Sequence, residues 1–132
     1  MLPYEIAHDI VATILESDVG DRIRPDQLDY ADTLPAVVIS ISTERRDDGL
    51  AENFAHEYEA RVTIYSATRA EADELADELA DEADGSEYED DDGYVWYAFA
   101  EQTLRAANVV DAESSQPIYV AEVVLTLMRA GT

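Results

Sequence analysis

One unbroken alternation in the middle of the chain constrains its fold more than any other feature. Tyr58, Ala60, Val62 and Ile64 are interleaved with Glu57, Glu59, Arg61 and Thr63. Successive side chains of a strand point to opposite faces, so this segment predicts a strand with one dry side and one wet side. Antiparallel sheets carry that pattern, covering one face and leaving the other to water. A second alternating run comes before it, with Val37, Ile39 and Ile41 set against Ser40 and Ser42. Between them, Glu44 to Asn53 reads as a turn or protruding hairpin tip.

Two other segments repeat at helical spacing. Ile6, Ala7, Ile10, Val11, Ile14 and Leu15 form a stripe between Pro3 and Glu16, with Glu5, Asp9 and Glu16 on the wet side. Proline suits the first turn of a helix. Gly20 breaks this pattern, and a polar connection runs on to Pro35. The second helix opens on Thr68 and Glu71, spaced as a capping box in which the Thr hydroxyl receives the third helical amide and the Glu reaches back. Its stripe is Ala72, Leu75, Ala76, Leu79, Ala80 and Ala83, and Gly85 stands where a left-handed cap is expected. The opposite face is acidic. Asp73–Asp77, Asp77–Asp81, Glu74–Glu78 and Glu78–Glu82 are like-charge neighbours, each costing roughly 0.2–0.5 kcal/mol at low salt.

Ser86 to Gly93 reads as an acidic loop, and Tyr94 to Ala100 as a strand or part of a short helix. Thr103 to Ala112 is the next expected strand, Glu113 to Gln116 a turn, and Pro117 to Arg129 the last strand. In that last strand Tyr119, Ala121, Val123, Leu125 and Leu127 share a face. The order is helix, two strands, helix, two strands: an α+β domain with helices packed on one face of a mostly antiparallel sheet. At 132 residues the chain is one domain.

Charge narrows the setting. Asp and Glu total 31, all 8 basic residues are Arg, and the formal net charge is −23. Such a charge destabilises a compact state by self-repulsion in dilute buffer. In molar salt the Debye length falls to about 3 Å and the repulsion is screened. The acids are spread over the whole chain, which excludes an acidic tail, and 47% hydrophobic residues in clear periods argue against disorder. The composition points to salt adaptation. It also disfavours sequence-neutral nucleic-acid binding, which rests on Lys and Arg neutralising phosphates. No apolar run approaches the roughly 20 residues of a membrane span, and no basic segment leads an apolar one at the start, so neither membrane insertion nor a secretory signal is expected.

Few residues offer chemistry. Cysteine is absent. Carboxylate pairs arise by chance in so acidic a chain, and a working dyad needs pKa values driven apart. Glu87 to Gly93 invites comparison with a calcium loop, yet the first ligand position is Tyr88 and the closing one Phe99. His8 and His56 lie in no ligand spacing, and no phosphate loop, dinucleotide fingerprint or nucleophile elbow is present. No catalytic residue, metal or cofactor is expected. The candidate site is instead a subunit interface. Tyr94, Trp96, Tyr97 and Phe99 either pack against the core or meet a neighbouring subunit, since aromatic residues are enriched in interface cores. Arg45 and Arg46, at the expected hairpin tip, are either solvated or paired with an acidic neighbour.

The order of motifs resembles a known family. A leading helix, then Val19-Gly20-Asp21-Arg22-Ile23-Arg24-Pro25, then Leu34-Pro35 opening a Val/Ile strand, is similar to the tail completion proteins of long-tailed phages, also described as tail-to-head joining or tail terminator proteins. Val62-Thr63-Ile64-Tyr65-Ser66-Ala67-Thr68 running into Glu71-Ala72 and Leu75-Ala76 resembles the family's passage from strand to helix. The likeness spans about residues 5 to 84, and Val120 to Arg129 is consistent with it. The absence of Lys, the acidic run at Ser86 to Gly93 and the segment Tyr94 to Asn108 depart from it. The resemblance implies a virion protein, assembled in the host cytoplasm, that forms a ring, usually a hexamer. Such a ring caps the tail tube, docks it to the neck below the portal, and lets DNA pass an acidic bore. With the salt adaptation, the expected source is a virus of a haloarchaeon or another extreme halophile. Two alternatives stand beside it: another head–tail connector such as a neck or stopper protein, and a cellular acidic binding module that mimics DNA.

Overall fold

The computed structural model describes residues 2–28, 33–45, 54–110 and 117–130. Two helices, α1 (Pro3–Val19) and α2 (Arg69–Ala83), accompany six strands: β1 (Ile23–Pro25), β2 (Ala36–Arg45), β3 (Phe54–Ser66), β4 (Ser86–Glu89), β5 (Val95–Val110) and β6 (Pro117–Ala130). The strands form one mixed sheet in the order β1-β2-β3-β6-β5-β4. Among the described residues, only β1 and β2 run parallel, and the other pairs are antiparallel. The α+β class is therefore present, while the expected order gains two strands. Each half of the chain reads helix, short strand, long strand, long strand, and the halves meet where β3 pairs with β6.

The added strands are short and polar, which is why alternation does not reveal them. β1 forms because Arg22 and Ile23 run beside Val37: the Val37 amide donates to the Arg22 carbonyl at 2.9 Å. β4 occupies part of the segment read as an acidic loop. Its Glu87 and Glu89 are exposed on one side, and Ser86 and Tyr88 are half-buried on the other. The long strand β5 corrects the division of residues 94–112 into two pieces. Its register against β6 shifts between Gln102 and Leu104 and again between Leu104 and Ala107. Each irregularity reverses the in–out phase, so one strand looks like two. The hairpin tip expected over Glu44 to Asn53 and the turn Glu113 to Gln116 fall mostly or wholly outside the described residues.

Alternation works where both neighbours are long. Ala60, Val62 and Ile64 of β3 stand opposite Leu125, Val123 and Ala121 of β6, and all six are fully buried. These join Ile10 and Leu15 of α1 and Leu75 and Leu79 of α2 in one apolar cluster. At roughly 25 cal/mol per Å² of apolar surface removed from water, this cluster is the main favourable term holding the fold.

Two polar devices fix the helix ends. At the end of α1, Gly20 takes φ +56° and its amide donates to the Glu16 carbonyl at 3.0 Å. Arg22 then donates from Nε to the Pro35 carbonyl (2.9 Å) and from Nη2 to the Asp18 carbonyl (2.8 Å), tying the helix end to the start of β2. At the start of α2, the Thr68 hydroxyl accepts the Glu71 amide at 3.2 Å. The reciprocal half of the capping box runs through Ser66 instead. The buried Ser66 hydroxyl donates to the Glu71 carboxylate and accepts the Thr68 amide.

Candidate interaction surfaces

β5 is a strand, so the aromatic cluster of the sequence divides between two faces. Trp96 points into the core and is 1% exposed, whereas Phe99 is 46% exposed on the opposite side, the side Tyr97 also takes. Tyr94 lies just before the strand, half-buried. The structure therefore brings Tyr94 together with Trp96, and Tyr97 together with Phe99, but does not unite all four.

The first pair sits over a tight turn. Asp90, 7% exposed, accepts the Asp92 and Tyr94 amides on Oδ1 at 2.9 and 3.0 Å. Its Oδ2 accepts the Trp96 indole N–H at 2.8 Å. Gly93, at φ +88°, closes the turn by donating to the Asp90 carbonyl. The Trp96 bond, with the two amides, holds the Asp90 carboxyl below its ordinary range. A carboxylate so occupied has a structural role in the turn. Across the ladder from Trp96 stands Arg129. Its guanidinium lies 4.6 Å from the Tyr94 ring centre and 5.8 Å from that of Trp96. Tyr58 packs tilted on Trp96 at 5.7 Å, and His56 stacks on Tyr58 at 6.1 Å. Past the end of α2, the sheet thus carries an aromatic ledge with a cation in it.

The second pair belongs to the sheet face turned away from the apolar cluster. There Tyr97 stands opposite Met128, and Phe99 opposite Thr126. Val124 and Val120 continue along β6, half-buried, with Glu122 between them holding Arg61 at 3.5 Å. Of the two arginines expected at a hairpin tip, Arg45 is the last residue of β2, in register with Glu57. Arg46 lies outside the described residues.

Other surfaces offer less. The outer ridge of α2 exposes Glu74, Glu78 and Glu82 without a basic residue in its last turn. Partial desolvation, then the charges of Asp18 and Glu82, raise the Glu78 carboxyl above its ordinary range. An open groove beside α1 is lined by His8, Asp9, Glu16, Asp21 and Tyr88. Burial, then Asp9, raises the Tyr88 hydroxyl. His8 lies 3.8 Å from its neighbour Asp9, and its ring is tilted against that of Tyr4 with centres 6.0 Å apart. Among the described residues no group of three or more His, Asp or Glu is placed to hold a metal ion, and no helix is long and apolar enough to cross a membrane. No protein-family model matches the sequence, and no curated protein matches it.

Proposed function

We propose that this protein is a non-enzymatic ring subunit, in the manner of a tail completion protein, at the head–tail joint of a tailed virus of a halophile. The observation that carries the reading is the sheet face bearing Tyr97, Phe99, Val124 and Met128, apolar and partly open in the single chain. With both helices backing the other face, this one is left for a neighbouring subunit, and its aromatic and Met content matches the interior of interfaces. The motif order from Val19 to Pro25 and from Val62 to Ala76 supports the family. The charge of −23 supports assembly in molar salt. In this reading six copies form the ring, the tube protein meets one side, the neck protein the other, and acidic side chains along the bore repel passing DNA.

Light scattering of the full chain in molar salt, combined with its location in purified particles, tests the proposal. A closed oligomer that Phe99→Glu dissociates, found at the neck of the virion, is the expected result. A monomer at every concentration, or a chain absent from particles, overturns it. A place on the portal side of the neck would identify a different connector of the same joint.

A further inference from the structure

We infer that Arg129 is a docking arginine that receives the acidic ridge Glu74–Glu78–Glu82 of a second copy of this chain. The inference rests on the ring reading above and names one of its contacts. Among the described arginines, Arg22 is spent on two carbonyls and Arg61 on Glu122. Arg129 takes part in none of the described ion pairs. Its Nε–H is shut off from water and meets no acceptor. The guanidinium is held over the Tyr94 ring and near that of Trp96 by cation–π attraction. Its planar fork is thus fixed in direction before any partner arrives, and guanidinium matches carboxylate geometry in a way ammonium does not.

The occupant follows from what the rest of the molecule lacks. The exposed glutamates of α2 repel one another at helical spacing, and the last turn of that helix has no cation to meet its negative end. An arginine placed there from outside relieves both. Partial desolvation, then the charges of Asp18 and Glu82, already raise the Glu78 carboxyl, and a cation brought to it would oppose those two charges. Arg129 and the ridge are different patches of one chain, so their contact is heterologous. Repeated from copy to copy, such a contact closes into a ring if its rotation permits.

The test uses the full chain in molar salt, with light scattering over a concentration series. Arg129→Gln keeps a polar side chain and removes the charge; Arg129→Glu reverses it. Each raises the concentration of half-assembly roughly tenfold or more. Combined Glu74→Arg, Glu78→Arg and Glu82→Arg does the same, and joining these three to Arg129→Glu restores assembly. Trp96 fluorescence confirms that each variant keeps its ledge; should Arg129→Glu unfold, Arg129→Gln decides alone. An assembling wild type whose midpoint Arg129→Gln leaves unmoved overturns this contact and spares the ring. A monomeric wild type overturns both.

Discussion

Trp96 donates its indole N–H to Asp90 across 2.8 Å, tying the buried end of the sheet to the turn that precedes β5. Neither group would stay where it is alone. A buried indole N–H without an acceptor is costly, and the same carboxylate organises the turn through the Asp92 and Tyr94 amides.

Replacing Asp90 by Asn tests this junction. The Asn oxygen can still serve the two amides, but its NH2 then faces the indole N–H, donor against donor. The melting temperature falls, and Trp96 emission shifts as its N–H seeks water. Trp96→Phe costs less in this background than in the wild type, because the hydrogen-bond part of its loss is already gone and only the lost packing remains. Unchanged melting of Asp90→Asn counts against the assignment.

Much of this architecture is legible in the residues, for identifiable reasons. β3, β6 and α2 each repeat one period over many residues between long neighbours, so their dry faces stand out. β1 and β4 do not, because each is only three or four residues long and turns just one or two side chains inward, too few to show a period. The Asp90–Trp96 pair spans a turn that residue types alone leave as an acidic loop. Arg129 meets Trp96 only through the register of β5 on β6, and two irregularities hide that register. The division of Tyr94, Trp96, Tyr97 and Phe99 between faces needs no more than knowing that residues 95–110 are one strand.

The buried relay at Ser66 gives a second prediction. Ser66→Ala removes the acceptor of the Thr68 amide and the donor to Glu71 together. It costs about 1–3 kcal/mol, since one partner is charged. Thr68→Ala removes only the cap and costs about 1 kcal/mol. Urea unfolding of the two single variants and the double variant measures both, and the double falls short of the sum.

Acid separates two carboxylates of opposite tendency. The Glu78 group is raised above its ordinary 4.5, so its penalty is present above the raised value and fades as pH falls to 4.5. Asp90 is lowered below its ordinary 3.8, so its stabilisation is present above 3.8 and is lost as pH falls through the lowered value. Stability relative to wild type therefore rises in Glu78→Gln at neutral pH and converges with wild type near pH 4. The deficit of Asp90→Asn is largest above 3.8 and shrinks below it. Chemical unfolding at stepped pH reads both curves.

Salt supplies the fourth prediction. Glu78 has like charges four residues away on either side, at Glu74 and Glu82. In millimolar salt Glu78→Gln stabilises the fold by roughly 0.5 kcal/mol, and in molar salt the gain disappears. Circular dichroism of the wild type should show helix loosening on dialysis to low salt. A signal constant from molar to millimolar salt argues against salt adaptation of this chain.

Beyond Ala98, where β4 ends, the next outward amide of β5 is that of Ala100, and the Asp84 carboxylate accepts it at 3.0 Å. A side chain has taken the place another molecule's backbone would need. Copies arriving on this flank cannot simply lengthen the sheet; they must first evict a carboxylate from its amide. At this position the flank of the sheet is occupied by one of the chain's own side chains rather than left open to a foreign strand.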